Sequence, residues 1–260
     1  MFMGNYQNVS DEEWLNLLSS PVGDLPPLPL EDVQVRFCGR SGRLAMEQAM
    51  EFYKTIREAC ARFGKPLRSM HAVMEFGCGW GRITRCFLRD IPSGHLYGCD
   101  CMPEMVQYCN EKLPDYGFVL NTPLPPTIFR DGTFDLIYGY SVFSHLSEAA
   151  HMSWIKEFSR IMKPGGVLVL TTRPREFINY WPKLPYIKNL DARKAMEAYD
   201  SGKFVYVPTG GGNNLDQSFY GETAISDRYI FKNWSGLYKI EKILDNVPHV
   251  DQKIIISIKK

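Results

Sequence analysis

The sequence predicts an α/β fold, in which helices cover both faces of a mostly parallel seven-stranded sheet whose last strand is antiparallel. Short apolar runs alternate with helical patterns through the first two thirds of the chain, and such alternation is typical of a parallel sheet. Near the end, two strand-like runs are joined only by a short polar loop. Since a parallel crossover needs a dozen or more residues, the final strand should run antiparallel.

The chain begins with a segment that differs from the rest. Residues 1–41 predict an N-terminal arm or lid, and residues 42–260 predict the main domain. Within the arm, Asp11 to Leu15 favours a short helix, and the proline-rich run from Pro21 to Pro29 is incompatible with a central strand. Apolar residues at helical spacing predict a long helix over 42–63.

The elements of the sheet follow in order. Strands are predicted at 72–76, 95–99, 117–120, 134–138, 166–172, 238–244 and 253–259, and helices near 80–89, 103–113, 147–162 and 226–234. The stretch 173–225 is long for a compact domain and predicts a functional insertion, which includes a helix near 191–200. The alternative is a disordered excursion with no role.

An acid closes the first strand, and three glycines alternate in the turn that follows. Gly77, Gly79 and Gly81 suit a turn that needs positive φ or close approach of the backbone to a ligand. A dinucleotide fingerprint reads GxGxxG, but Arg82 stands where the third glycine belongs, which argues against an NAD-dependent oxidoreductase. Glu75 favours a cationic ligand instead, because a carboxylate there would repel a pyrophosphate.

A second acid, Asp100, closes the next strand about 20 residues later, the spacing expected of a carboxylate that binds ribose hydroxyls. Pro103 then opens a helix, since proline at a first-turn position loses no hydrogen bond. Met102, between the two, is a candidate for contact with an adenine ring.

These motifs resemble those of the class I methyltransferases that depend on S-adenosylmethionine (SAM). Phe134 to Tyr140 is similar to the family's fourth strand, Phe143 to Leu146 to the element after it, and Arg160 to Leu170 to the turn into the fifth strand. The likeness covers residues 70–172. It implies a Rossmann-like fold, SAM as the cofactor and S-adenosylhomocysteine as its product.

The resemblance also implies the cofactor site. The predicted cofactor-binding residues are Glu75, Gly77, Cys78, Gly79, Gly81, Asp100, Cys101, Met102, Asn121, Gly139 and Tyr140. Asn121 stands where many relatives carry an acid near the adenine amino group, and its amide oxygen can still accept a hydrogen bond. Arg82 and Arg85 either bind an acidic group or pack against the sheet.

Methyl transfer from a sulfonium needs an acceptor lone pair in line with the methyl, in a site that excludes water. A hydroxyl acceptor also needs a base, whereas an amine must only arrive unprotonated. His145 follows the fourth strand and is the first candidate base, with a structural role as the alternative. Tyr220 and Glu222, which end the insertion, are the next candidates, and their alternative is a solvated loop with the tyrosine packed on the sheet.

The predicted function is therefore SAM-dependent methyl transfer to a small-molecule or glycan acceptor, with a hydroxyl oxygen as the favoured atom and the insertion as its binding segment. The arm, the insertion and the final strands resemble bacterial methyltransferases of surface polysaccharides, nucleotide-linked sugars or secondary metabolites. The alternatives are a non-catalytic SAM-binding regulatory or partner subunit, and an N-methyltransferase.

Composition limits the partners. At 260 residues and 45% apolar content the chain can bury one α/β core, and 30 basic against 29 acidic side chains provide no overall field for nucleic acid.

No apolar run approaches the ~20 residues that span a bilayer, and no signal-peptide pattern is seen, so we expect a cytoplasmic protein without a membrane span. The seven cysteines lack zinc-site spacing, and we expect no metal. Both a monomer and a homodimer fit the sequence. His151, on a predicted helix, has no evident partner.

Overall fold

The computed structural model describes residues 6–211 and 215–260, and within these ranges it contains eight α-helices and nine β-strands. The helices are α1 (Asp11–Ser19), α2 (Glu31–Cys38), α3 (Gly42–Arg62), α4 (Thr84–Phe87), α5 (Pro103–Lys112), α6 (Glu148–Ile161), α7 (Ala192–Asp200) and α8 (Asp227–Trp234). The strands are β1 (Val73–Phe76), β2 (Leu96–Asp100), β3 (Gly117–Leu120), β4 (Phe134–Gly139), β5 (Met162–Thr172), β6 (Val205–Pro208), β7 (Gly221–Ala224), β8 (Tyr238–Leu244) and β9 (Lys253–Lys259). Short 3-10 helices lie at Leu67–Ser69, Arg175–Asn179 and Trp181–Lys183.

Seven of these strands form one sheet in the order β3-β2-β1-β4-β5-β9-β8. β2 runs parallel to both β1 and β3, whereas β9 is antiparallel to both β5 and β8. The predicted fold class, including the antiparallel last strand, is therefore confirmed. The short polar connection between β8 and β9 gives the physical reason, because it permits only a hairpin-like return.

The predicted helix at 80–89 is shorter than expected, since regular α-helix covers only α4. Around α4 the backbone hydrogen bonds change their spacing: Arg85 N donates to Gly81 O, four residues back, but Cys86 N donates to Ile83 O and Leu88 N to Arg85 O, three residues back. The mixed spacing makes this segment a series of turns.

The chain divides into two compact units, of which the first comprises the described residues up to Asn121 together with 134–136 and 248–250. In this unit α1 packs against α3. The indole of Trp14 in α1 is fully buried and donates to Cys86 O over 3.0 Å. The Asp11 carboxylate accepts from Arg57 over 2.7 Å and also from Arg89, and these cations lower the pKa of Asp11. The first helix of the predicted arm therefore contributes to the core of this unit.

Helix α2 was not predicted. It begins after Leu30 without a side-chain cap, and it ends at Gly39, which has the left-handed φ of 72° that glycine adopts readily. Because Gln34 is its only buried residue, its pattern lacks the apolar stripe from which helices are recognised in a sequence.

The second unit comprises 122–133, 137–247 and 251–260. Its insertion, predicted at 173–225, contains α7 and a small antiparallel sheet of β6 and β7, and residues 212–214 lie outside the described residues. The insertion encloses an apolar cluster that includes Ile178, Trp181, Tyr199 and Val205. The alternative of a disordered excursion is therefore wrong for the described part of the segment, because it buries its own side chains.

No helix among the described residues combines the length and the apolar character that crossing a bilayer requires.

His151 in α6 has a partner that the sequence did not reveal. Its imidazole is fully buried among aromatic rings, and Nε2 accepts from the Trp234 indole N–H over 3.1 Å. Burial alone lowers the pKa of His151 to about 3. The partner lies 83 residues away in the sequence, so local pattern could not show it.

This buried imidazole should make stability depend on pH. Because the folded-state pKa of His151 lies below its ordinary value of 6.5, its contribution is complete above pH 6.5 and is lost as the pH falls. Between pH 7 and pH 5 we expect the protein to lose about 2 kcal/mol of unfolding free energy relative to His151→Gln, in which this titration is absent. Urea unfolding of both proteins at the two pH values measures the difference, and parallel pH profiles would contradict it.

Candidate functional site

The glycine turn after β1 has the backbone conformation that its sequence predicts. Gly77, Gly79 and Gly81 have φ values of 69°, 49° and 77°, in the left-handed region that favours glycine. A Cβ on Gly81 would lie 3.3 Å from both Cys109 Sγ and Leu113 Cδ1, a tight contact. The turn therefore needs glycine for both conformation and space.

Asp100 lies at the end of β2 and is joined to this turn. Its Oδ2 accepts from Gly79 N over 2.8 Å, and its Oδ1 accepts from Met102 N over 2.9 Å. Burial raises the pKa of Asp100, and these backbone donors oppose the rise. Each carboxylate oxygen keeps a further lone pair, so the group can also accept hydrogen bonds from a diol.

Glu75 is the second acid of the first unit, and it is 2% exposed at the end of β1. It accepts a hydrogen bond from Thr84 Oγ1 of α4. Burial raises the pKa of Glu75 to about 8, so that the carboxyl is largely neutral at pH 7. A bound cation would favour its charged form, and the cationic ligand stays a prediction.

The other predicted cofactor residues of the first unit surround the ends of the same strands. Asn121 follows β3, and its N–H donates to Asp100 O over 3.0 Å. Cys101 and Met102 are half-buried directly after β2, and Cys78 is buried within the turn, where Cys109 raises the pKa of its thiol. All seven cysteines are free thiols. Across 6–211 and 215–260, no group of three or more His, Cys, Asp or Glu side chains is placed to hold a metal ion.

Arg82 and Arg85 serve packing rather than an exposed acidic ligand. Arg85 is 1% exposed and donates to the carbonyls of Pro26 and Pro27, at 2.5 and 3.0 Å. Arg82 is also buried, and it donates to Ala45 O in α3 over 2.9 Å. Of the two alternatives, the structure supports packing, and the proline-rich run is held in place by Arg85.

In the second unit, the predicted residues Gly139 and Tyr140 lie at the end of β4 and just beyond it. The next residue, Ser141, has a φ of 61°, which is unusual for a residue other than glycine. Its N–H donates to Thr171 Oγ1 over 2.8 Å, and its Oγ accepts from Gln252 Nε2 over 2.7 Å. Gln252 Oε1 in turn accepts from Thr171 Oγ1 over 2.7 Å. These three bonds hold the loop after β4 in a strained conformation.

This loop carries His145, whose environment defines its protonation. The ring stacks on Tyr220 with centroids 5.1 Å apart, and Nδ1 lies 2.8 Å from Gly221 O. Burial, with a smaller contribution from the charge of Arg173, lowers the pKa of His145 to about 4. The imidazole is therefore neutral at physiological pH. Because a carbonyl oxygen only accepts, Nδ1 carries the proton and Nε2 is left as an acceptor.

The part of the alternative that puts Glu222 in a solvated loop is wrong, whereas the part that packs Tyr220 against the fold agrees with its half-buried ring. Glu222 belongs to β7 and is 5% exposed, and Tyr220 forms a β-bridge with Leu146. Gly221 N donates to His145 O over 2.7 Å, and a side chain at Gly221 would overlap Val207 O. The end of the insertion is thus fixed against the loop that carries His145, and Glu222 Oε1 lies 3.6 Å from His145 Nδ1.

Two residues near Glu222 were not predicted as site residues. Tyr186 donates from its hydroxyl to Glu222 Oε1 over 3.2 Å. Burial raises the pKa of Glu222, and the charge of Arg173, the first residue after β5, opposes this rise; the same charge adds to the lowering of the His145 pKa by burial. The position of Arg173 at the carboxyl end of a strand, where open α/β sheets bind ligands, is the signal that could have identified it.

Comparison with known proteins gives a family match over part of the chain. Residues 73–166 match the family described as "Methyltransferase domain". A 2-methyl-6-phytyl-1,4-hydroquinone methyltransferase of Synechocystis is 27% identical over 126 residues, which are 45% of this chain and 38% of that protein. A tRNA (carboxymethyluridine(34)-5-O)-methyltransferase of Arabidopsis thaliana is 30% identical over 112 residues, 43% of this chain and 26% of that protein. The chain thus spans less than half of the length of these relatives.

Among solved structures, an S-adenosylmethionine-dependent methyltransferase from Clostridium acetobutylicum is similar over 80% of this chain and 91% of its own length. The TM-score is 0.57 and the sequence identity is 15%. At this identity the likeness shows the fold, and it agrees with the strand order described above.

Proposed function

We propose that the protein transfers the methyl group of SAM to a hydroxyl oxygen of a small-molecule or glycan acceptor, because residues 73–166 match the family described as "Methyltransferase domain" and the fold is similar to that of a solved SAM-dependent methyltransferase. The observation that carries this proposal is the half-buried Asp100 carboxylate, which is held by the N–H groups of Gly79 and Met102. These bonds place an acid beside the glycine turn. A ligand that carries both ribose hydroxyls and an amino-acid group requires such an arrangement.

The residues of the first unit fit SAM chemically. Asp100 would accept the ribose hydroxyls, and Glu75, whose pKa is raised by burial, would gain a counter-ion in the ammonium group. The glycine turn has the positive φ values that allow the backbone to approach a ligand closely. When bound, SAM supplies an activated methyl group, so the protein need not form a covalent intermediate.

On the acceptor side, we assign His145 the binding and deprotonation of the hydroxyl. Its neutral Nε2 would accept the hydroxyl hydrogen bond and take the proton as the oxygen is methylated. Tyr220 holds the ring by stacking, and Gly221 O holds the Nδ1 proton, so the imidazole is oriented before an acceptor binds. Glu222 supports the same site from β7.

The charge of the chain supports a small acceptor rather than nucleic acid. The net charge of +1 provides no overall attraction for a phosphate backbone, although the Arabidopsis relative is named for tRNA. A sugar of a surface polysaccharide, a nucleotide-linked sugar or a secondary metabolite fits the proposal.

Transfer of a labelled methyl group tests the function directly. Labelled SAM and the protein are added to an extract of the native host, which is then separated into small polar, lipid and macromolecular fractions, with Glu75→Ala as the blank. We expect label above the blank in the small polar or the glycan fraction. Label in RNA alone would contradict the acceptor class, and no label, with S-adenosylhomocysteine still bound, would favour a silent SAM-binding subunit.

Binding of S-adenosylhomocysteine tests the cofactor residues separately. Asp100→Ala and Glu75→Ala should each weaken binding by about 1–3 kcal/mol, because each leaves a buried partner without its hydrogen bond. Isothermal titration calorimetry measures the loss, and thermal unfolding confirms that the variants fold. Glu111→Ala, which removes an exposed acid of α5, is the matched control and should bind normally. Unchanged affinity in both site variants would overturn the assignment.

A further inference from the structure

Glu222 carries a carboxylate oxygen that the protein does not satisfy. The residue is 5% exposed, and its Oε1 accepts from the Tyr186 hydroxyl. Its Oε2 is buried and has no hydrogen-bond partner among the described residues. The Trp181 indole N–H lies near this carboxyl and opposes the rise in its pKa that burial causes, but no hydrogen bond of normal length joins the two groups. Since a buried acceptor without a donor is unfavourable, this oxygen indicates a donor that a bound molecule would supply.

Arg173 is the complementary group. Its guanidinium carbon lies 4.1 Å from the centroid of the Phe177 ring, and its Nε is buried without a hydrogen-bond partner. Within 6–211 and 215–260 Arg173 forms no ion pair. Its positive charge favours the carboxylate form of Glu222 and the neutral form of His145. Arg173 forms a β-bridge with Ala224, two residues after Glu222 in β7, so the two side chains lie on the same side of the second unit without an ion pair between them. A guanidinium in this situation favours an anionic ligand.

The three groups together define what would complement them. Glu222 Oε2 and His145 Nε2 are acceptors and need two donors, such as two hydroxyls of one molecule. Arg173 is a donor with a full positive charge and prefers a planar or tetrahedral anion.

Exposed aromatic rings flank this pair. Tyr186, whose hydroxyl contacts Glu222, is 54% exposed, and Tyr180, which is 48% exposed, packs against Phe177 with centroids 5.5 Å apart. Large exposed rings that carry a polar group are suited to contact with a ligand that is apolar on one face and polar at its edges.

We propose that Arg173 and Glu222 recognise the acceptor, and that this acceptor is a polyhydroxylated small molecule that bears a carboxylate or a phosphate. The inference rests on the proposed function and makes it more specific. One hydroxyl donates to Glu222, a second donates to His145 and is the methylated oxygen, and the anionic group binds Arg173.

Calorimetric binding to the protein loaded with S-adenosylhomocysteine tests this inference. The probes are D-glucuronate, D-glucose 6-phosphate and D-glucose, which share hydroxyls and differ in the anion. We expect at least one anionic probe to bind about tenfold more tightly than glucose. Comparison of glucuronate with glucose 6-phosphate then distinguishes a carboxylate from a phosphate.

Variants assign this preference to the residues. Arg173→Met should abolish the anion preference, Arg173→Lys should retain part of it, and Glu222→Gln should weaken all three probes. Arg175→Met is the matched control, because Arg175 is two residues away but pairs with Asp200, and it should behave as the unmodified protein.

Three results would overturn the inference: equal affinity for the three probes, a preference that survives Arg173→Met, or no binding of any probe to the loaded protein. Loss of S-adenosylhomocysteine binding by the unmodified protein would instead refute the proposed function. Because the loading step is measured first, the two failures are distinguishable.

Discussion

An alanine at position 14 should lower the free energy of unfolding by about 3–5 kcal/mol, the range for removing a buried tryptophan. The Trp14 indole is fully enclosed in the first unit, and its N–H is bonded to Cys86 O. Truncation would leave a cavity and a buried carbonyl without its donor. Urea unfolding measures the change, with Glu12→Ala, an exposed residue of the same helix, as the control.

A loss below about 1 kcal/mol would show that α1 is dispensable to the core. The expected large loss would instead restrict any lid motion of the arm to the residues that follow α1, since α1 would have to stay in place. The role of residues 1–41 as a lid remains a prediction, and residues 1–5 lie outside the described residues.

Removal of the His145 imidazole should lower turnover by about 10²-fold, with S-adenosylhomocysteine affinity unchanged. We expect the lower end of the range for a general base, because the depressed pKa makes His145 a weak proton acceptor. The measurement is the turnover of His145→Ala with the acceptor found in the labelled-methyl experiment. His71→Ala, which removes an exposed imidazole, is the control.

The pH profile distinguishes this site from an ordinary histidine. With a pKa of about 4, His145 stays unprotonated at pH 6, so turnover at saturating SAM, where the bound ammonium group keeps Glu75 charged, should be the same at pH 6 as at pH 8. If the base had the usual histidine pKa, turnover at pH 6 would be about a quarter of turnover at pH 8. Such a fall in turnover at pH 6, or a less than tenfold loss of turnover in His145→Ala, would indicate that His145 has a structural role.

The sequence predicted the parts of the fold that depend on local pattern. Strand runs such as 72–76 and 134–138 lie within a residue of the observed strands, and the glycines of the first turn have the positive φ that their spacing predicts. The antiparallel last strand followed from the length of one loop. In each case a few neighbouring residues carry the whole signal.

The contacts that build the acceptor side could not be predicted in this way. His145 is fixed by Gly221, 76 residues later, and His151 by Trp234, 83 residues later. Helix α2 lacks an apolar stripe, and the burial of Glu222 follows from a small sheet whose partner strand, β6, is in the insertion. Such pairings are set by tertiary packing, which local propensity does not encode.

The bond between Gln252 and Ser141 limits how far this protein can be treated as modular. An excised fragment that retained only the family-matched segment 73–166 would lack Thr171 and Gln252, the two side chains that hold the left-handed Ser141. Recombination that replaced the last two strands and their connecting loop with those of another protein would remove Gln252 as well. The loop after β4 would then relax, and a graft could inherit the cofactor turn without the geometry that presents His145.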